Sequence, residues 1–465
     1  MRVSVSIEEV VNAITGCIDR GDISCAVNIF KSLSPPDALD VLVRLGSDYR
    51  REILLVSDLD NIADVMARMP DEILFEIASI RGVDDIAKVL SKLHVDDIAD
   101  VLIKIPPKIR TEVLRALPQE LSAEVVKVMK YPPESVGGIM TTQVPVFDED
   151  LTVGEAVNIY VNKMKLGLYD KHNYIYVVNK EKRLAGRIDV RTLLTKPRDL
   201  KLRDCVEKVS IHVDPLKDRE EAARITISYD LIEVPVVDSN GVFLGIVSLD
   251  DLLDVVVSEH TEDLLKYGGF LDVIRSSYMA ISPLKLAIRR IPMIVYLYLI
   301  NLVTGGIIAS FEEVIQRVAI LAAFMPILAD NSGNIGSQAS ALILRSLVTG
   351  EVKLSRSDVA KILVKEFLTT SFMILFLAPV AFGIGLTIPL LTLKDTYVAL
   401  RVAVTVVIAL TVSCYVADLV GALLPIILAK LKIDPAAASA PVITSIADIL
   451  TVLTYFTVAT LMLGI

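Results

Sequence analysis

IPMIVYLYLINLVTGGIIASF, residues 291–311, is a run of 21 residues without a charge. As a helix rising about 1.5 Å per residue it reaches about 31 Å, the depth of a bilayer's hydrocarbon core. Toward the C-terminus, residues 367–393 form a second uncharged run, 398–429 a further apolar stretch carrying Asp418, and 435–464 another carrying Asp448. Residues 314–349 would make a helix of about 54 Å, too long for one crossing. Pro326 and DNSGNIG at 330–336 predict that it is bent or broken there. The expectation is five spans. Lys285, Arg289 and Arg290 precede the first span, Arg345, Lys353, Arg356, Lys361 and Lys365 follow the second, and Lys430 and Lys432 precede the last. The positive-inside rule then puts residues 1–285 in the cytoplasm and Ile465 outside, in a multi-pass protein of the cell membrane. The opening MRVSVSIEEV lacks the basic region and apolar core of a signal peptide, as a cytoplasmic N-terminus requires.

The remainder of the chain is of a different kind. The whole is 53% hydrophobic and 22% charged, with a mean hydropathy of +0.58. Residues 281–465 hold 13 Lys+Arg against 10 Asp+Glu, and residues 1–280 hold 34 against 47. An acidic half of this kind excludes a nucleic-acid binder, which needs basic surface for phosphates, and suits metal cations or basic partners. The four cysteines and four histidines are scattered, with no C-x-x-C or H-E-x-x-H, so neither a zinc site nor a disulfide framework is expected. Three carboxylates, Asp330, Asp418 and Asp448, lie in the apolar half without a Lys or Arg at matching depth. Each costs about 2.5–3.5 kcal/mol at a helix centre, and together they favour a cation pathway. Oxygen ligands alone suit a hard ion such as Mg²⁺ or Ca²⁺, and Mg²⁺ keeps several of its waters.

Within the acidic half, DNIADV at 60–65, DDIAKV at 84–89 and DDIADV at 96–101 recur, with DALDVL at 37–42 a weaker copy. Pro70, Pro106 and Pro118 punctuate short amphipathic helices, the pattern of a stacked helical solenoid. Ile-Ala-x-Val should face the core and the aspartates solvent. Residues 202–256 then read strand–helix–strand–strand–helix, with VPVVD and FLGIVS as strands about the turn SNG. Residues 140–194 repeat that order. The pair resembles a tandem CBS (Bateman) module, and such modules often sense adenine nucleotides. That resemblance implies a nucleotide site, for ATP or a relative, at Ser248 and Asp251, whose spacing matches the ribose-binding Ser/Thr-x-x-Asp. The first unit has Asp189 and Thr192 there instead.

Taken in order, solenoid, CBS pair, connecting helix and five spans resemble the MgtE family of magnesium channels and transporters over nearly the whole chain. The resemblance is carried by YPPESVGGIMTT at 131–142, EHTEDLLKYGG at 259–269, FMPILADNSGNIGSQ at 324–338 and KIDPAAASAPVITSIADIL at 432–450. The expected fold is a multidomain membrane protein: an all-α cytoplasmic solenoid at 1–130, an α/β tandem CBS pair at 131–256, a connecting helix at 257–284 and a five-helix transmembrane domain at 285–465. The resemblance implies a homodimer in lipid, with a pore on the two-fold axis lined by the second and fifth spans. Two copies of Asp448 would hold a largely hydrated Mg²⁺. Gly333 and Asn334 match the family's Gly-Asn, where Pro326 would free backbone oxygens, and Thr444, Ser445 and Thr451 flank Asp448 on the same helix. It also implies that Mg²⁺, as regulator as well as substrate, binds among acidic cytoplasmic residues and shuts the pore. The matching positions are Asp251, Asp254, Glu259, Glu262, Asp263 and Asp434, with Glu220, Asp230, Asp96 and Asp100 beside them.

The chain departs from the family where Asp330 and Ser332 replace two glycines and Asp418 stands where Asn is common. Asp330 and Asp418 are therefore expected near the permeation path as additional cation ligands. Three readings follow: a passive Mg²⁺-gated Mg²⁺ channel; a cation-coupled transporter or exporter of divalent ions such as Mg²⁺ or Co²⁺; and a membrane-anchored CBS regulator without transport. No P-loop, nucleophile elbow or metal-hydrolase motif suggests an enzyme.

Overall fold

The computed structural model describes residues 6–271, 278 and 281–464. They form two compact units, one reaching to His260 and the other holding Thr261 onward together with the apolar helices. The first opens with nine short α-helices and a 3-10 stretch: α1 (Ile7–Asp19), α2 (Ile23–Lys31), α3 (Pro35–Arg44), α4 (Ser47–Val56), the 3-10 turns at Leu59–Arg68, α5 (Asp71–Ile80), α6 (Val83–Leu90), α7 (Val95–Lys104), α8 (Pro107–Ala116) and α9 (Gln119–Val128). Each element packs on the next but one, α1 on α3 and α2 on α4 through to α7 on α9, which is the stacking of a solenoid. Ile, Ala and Val of all three repeat copies are buried (Ile62, Ala63, Val65; Ile86, Ala87, Val89; Ile98, Ala99, Val101). Asp60 and Asp84 face solvent as expected, but Asp96 in the third copy is only 8% exposed. Cys17 of α1 and Cys25 of α2 are joined as a disulfide, a pairing that their eight-residue separation does not advertise.

The CBS pair follows. β1 (Val146–Asp148), α10 (Val153–Lys165), β2 (Tyr174–Val178), β3 (Leu184–Asp189) and α11 (Val190–Thr195) make the first unit, with β1 parallel to β2 and β2 antiparallel to β3. The second has α12 (Arg219–Ser228), β4 (Glu233–Val237), β5 (Phe243–Ser248) and the start of α13 (Leu249–Tyr267). Its first strand is reduced to a parallel bridge between Val213 and Val236. The duplication extends to packing. A Cβ at Gly186 of β3 would lie 2.6 Å from Glu207 O, and one at Gly245 of β5 would lie 2.4 Å from Thr141 O, so both strands need glycine where a neighbouring backbone passes.

Each CBS unit has its own core, and a third cluster of Val144, Tyr176 and Ile246 joins them. Glu233 is 1% exposed at that junction. Its carboxylate accepts from Asn173 N (2.8 Å), Tyr174 N (3.2 Å) and the Tyr176 hydroxyl (2.8 Å). Removing a buried acceptor strands every donor it served. Glu233→Ala should therefore lower the stability of this region by about 3 kcal/mol, read as an earlier thermal transition of the purified chain. An unchanged transition would show the carboxylate to be incidental.

The second unit contains α14 (Pro283–Ser310), α15 (Glu312–Arg317), a 3-10 segment at Ala319–Phe324, α16 (Met325–Val348), α17 (Arg356–Leu393), α18 (Thr396–Lys430) and α19 (Ala440–Leu463). Four of these, α14, α17, α18 and α19, are long and apolar enough to cross a membrane. The interruption expected in 314–349 falls at 318–324, not at DNSGNIG, which lies inside the continuous helix α16. Polar side chains there bond back to their own helix, Asn331 Nδ2 to Ile327 O (2.8 Å) and Ser332 Oγ to Leu328 O (2.9 Å). Pro326 occupies the first turn of α16, where an N–H would have no intrahelical partner, so it frees no carbonyl within the helix. This too corrects the expectation. Glycines let α16 approach its neighbours. A Cβ on Gly421 of α18 would lie 2.1 Å from Gly336 O, and one on Gly333 would lie 2.7 Å from Thr444 Cγ2 of α19.

Candidate functional site

Because α16 is held between α18 and α19, the orientation of its polar residues is fixed. Gly333 and Gly336 are buried in those contacts, while Asp330, Asn334 and Gln338, spaced four apart, form an exposed stripe. Asn334 Nδ2 donates to Asp330 Oδ2 at 3.3 Å. Across the groove on α19, Asp448 is half-buried and within electrostatic reach of Asp330. One turn nearer the start of α19, the Thr444 hydroxyl bonds Ala440 O (2.9 Å) and meets the Ser337 hydroxyl (3.2 Å). Ser445 and Thr451 are buried within the helix packing, 6% and 2% exposed, and so lie off this open face. Asp418 is also buried, on the α17 side of α18, where its polar neighbours are Glu366 and Thr370. The structure thus joins Asp330 to Asp448 and separates Asp418 from both, against the expectation that Asp330 and Asp418 share one path. Glu366 escaped the sequence reading because it sits at the edge of the uncharged run.

A second concentration of carboxylates lies where α7 of the solenoid meets the CBS pair. Asp96 and Asp97 start α7, Asp251 is in the first turn of α13, and Asp170 precedes β2. Burial, and then the neighbouring Asp251, Asp170 and Asp97, push the Asp96 carboxyl well above the ordinary range. Its Oδ1 is buried with no hydrogen-bond partner among the described residues. Burial raises Asp251 to about 7, opposed by the Ser248 hydroxyl and reinforced by Asp250, Asp170 and Asp97. Asp100 rises to about 6, again through burial, and Asp97 rises as well. Two basic side chains sit at the margin: Lys171 Nζ is 2.6 Å from Asp250, and His94 Nε2 is 3.4 Å from Asp170. Among the described residues no three His, Cys, Asp or Glu side chains close on a bare metal ion. Asp97 and Asp170 were missed from sequence. The doubled aspartate of the repeat could have found the first, but nothing marks the second.

The other expected regulatory residues fall elsewhere. Glu259 accepts from Arg219, which also pairs with Glu134. Asp254 pairs with Arg68 (2.9 Å) and Glu220 with Arg224 (3.3 Å). Asp230 has a positive φ of 51° after α12, a conformation that Asp tolerates better than most residues, and this gives it a turn role. Glu262 (2.6 Å) and Asp434 both bond Lys266 Nζ, and Asp263 lies half-buried on the same helix. At the possible nucleotide position, Ser248 Oγ donates to Asp250 and Asp251, whereas Asp189 caps α11 through Arg191 N and Thr192 N.

A family model described as the MgtE divalent cation transporter matches residues 325–458, the MgtE intracellular N domain matches 26–134, and the CBS domain matches 136–199 and 202–258. The magnesium transporter MgtE of Bacillus subtilis is 30% identical over 460 residues, 98% of each chain. That of Thermus thermophilus is 33% identical over 341 residues, 72% of this chain and 71% of its own. Among solved structures, the cytosolic domain of the Mg²⁺ channel MgtE in complex with ATP is similar at 26% identity with a TM-score of 0.48, covering 53% of this chain and 99% of that one.

Proposed function

The chain belongs to the MgtE family of membrane-embedded magnesium transporters, and on that premise we propose that it is a Mg²⁺-selective uptake channel gated by cytoplasmic Mg²⁺. One observation carries the pore assignment: the stripe of Asp330, Asn334 and Gln338 is exposed on a single chain next to Asp448. Lipid contact would cost about 2.5–3.5 kcal/mol for an aspartate at the bilayer centre, so the stripe faces water and a second copy of the chain. In this reading α16 joins the four long apolar helices as the second of five spans, α16 and α19 of a homodimer line the two-fold axis, and two copies of Asp448 hold hydrated Mg²⁺. Gly333 admits Thr444, and Asn334 bonds the hydration shell. Residues 1–285 are cytoplasmic and the C-terminus lies outside, following the distribution of Lys and Arg.

Gating belongs to the carboxylates of the cytoplasmic region. Mg²⁺ among Asp96, Asp97, Asp170 and Asp251, with Asp100 behind them, relieves their repulsion and favours the closed arrangement, a population shift by a ligand that prefers one state. Glu262, Asp263 and Asp434 take part nearer the membrane. A nucleotide such as ATP, held through Ser248 and Asp251, would compete with Mg²⁺ for the same carboxylate.

The buried Asp418–Glu366 neighbourhood favours a second reading, coupling to H⁺ or Na⁺, because a passive pore along the stripe has no use for it. Liposomes separate the two. A channel admits Mg²⁺ down its own gradient, at a rate unaltered by imposed H⁺ or Na⁺ gradients. A flux that requires either gradient establishes coupling instead.

A further inference from the structure

The last turn of α13 and the residues after it are anchored to the membrane unit at several points. Lys266 pairs with Asp434 before α19. Gly269, at φ +86°, packs where a Cβ would stand 3.1 Å from Pro441 and 3.5 Å from Met293. Arg290 of α14 lies 5.8 Å over the Phe270 ring. Tyr267 differs from these in reaching the stripe-bearing helix itself: its hydroxyl donates to Ser337 O at 2.6 Å. A helical carbonyl has a second lone pair, so the phenol joins without displacing a helix hydrogen bond. Ser337 lies three residues after Asn334, and its hydroxyl meets Thr444 of α19. Burial raises the Tyr267 phenol above its ordinary value, so it stays protonated and a donor.

We propose that Tyr267 is a positioning residue for gating, its phenol pinning the turn of α16 between Asn334 and Gln338 so that this stripe cannot move unless the end of α13 lets go. The proposal rests on the Mg²⁺-gated channel reading above. When Mg²⁺ holds the cytoplasmic region in the closed arrangement, the bond is made. When α13 withdraws, the bond breaks and α16 is free to turn or shift. Lys266 and Gly269 anchor α13 to the loop and to α19, whereas Tyr267 contacts α16, the helix that bears the stripe.

The test is Tyr267→Phe in the full-length chain, reconstituted in liposomes, with Mg²⁺ influx measured against the Mg²⁺ concentration on the cytoplasmic face. Phenylalanine keeps the ring and removes only the donor. Loss of one hydrogen bond from the closed state should raise the half-closing concentration about three- to tenfold. Influx at zero cytoplasmic Mg²⁺, and preference for Mg²⁺ over Ca²⁺, should match wild type. Tyr267→Leu, which also loses the ring, should shift the curve further. Superimposable curves for wild type and Tyr267→Phe overturn the proposal, as does a fall in maximal influx with no shift, the sign of a merely structural role. A wild-type influx that ignores cytoplasmic Mg²⁺ overturns the gating reading itself, and this proposal with it.

Discussion

Asp448→Asn should reduce Mg²⁺ influx about a hundredfold while leaving the protein folded and its oligomeric state unchanged. The substitution keeps shape and hydrogen-bonding capacity and removes one negative charge per chain. At an effective dielectric of about 40, each carboxylate about 5 Å from a divalent ion attracts it by about 3 kcal/mol, so losing one from each chain lowers occupancy by at least about two factors of ten. Asp330→Asn should act in the same direction and more weakly, since Asp330 is exposed and Asp448 is half-enclosed. Asp418→Asn should leave permeation through the stripe intact, because Asp418 faces Glu366 and Thr370. Stopped-flow influx with a Mg²⁺-sensitive dye in the vesicle lumen measures all three. Wild-type influx in Asp448→Asn removes the carboxylate from the pore.

In the absence of Mg²⁺, the stability of the solenoid and CBS pair should fall by about 3–7 kcal/mol between pH 4 and pH 8. Asp251 is raised to about 7 and Asp100 to about 6, with Asp96 and Asp97 displaced in the same direction, from an ordinary value near 4. An acid whose pKa is higher in the folded chain binds its proton more tightly there. Its contribution to stability is complete below the unfolded value and is lost as pH rises through the folded one. Above pH 7 Asp251 and Asp100 are charged and add to the negative field there, which is the condition in which a divalent ion binds best. Mg²⁺ at about a hundred times its dissociation constant should restore about 2.7 kcal/mol. Thermal unfolding of the purified chain across pH, in EDTA and in Mg²⁺, reads both effects. Asp96→Asn combined with Asp251→Asn should flatten the EDTA profile and weaken the response to Mg²⁺. A wild-type profile flat in EDTA contradicts the assignment.

Much of this architecture was legible because local pattern and burial agree. The Ile-Ala-x-Val repeats are buried in all three copies, and the strands VPVVD and FLGIVS pair about their SNG turn. The pattern was silent where it carries no phase. α18 is apolar on every side, so nothing in its sequence says which helix Asp418 faces. Its packing against α17 decides it, bringing Asp418 to Glu366, 52 positions earlier in the chain. DNSGNIG has the composition of a break, yet it is helical because its side chains bond back to its own carbonyls and its glycines admit neighbouring helices, a tertiary override of weak propensity. Asp170 stands in a loop with no repeat or motif, and only folding brings it to Asp96 and Asp251. Ser445 and Thr451 share a helix with Asp448, but each lies three residues away from it and turns into the packing.

In the proposed pore the exposed stripe of α16 meets its own copy across a water-filled two-fold axis. Cysteine cross-linking in the membrane tests it most directly. In a background lacking the four native cysteines, Asn334→Cys should oxidise to a covalent dimer if two copies of that position face each other across the proposed axis. Phe376→Cys, on a side chain 74% exposed along α17, should remain monomeric in lipid. A covalent dimer through 376 with none through 334 would contradict the account, placing the stripe away from the axis and the pore elsewhere.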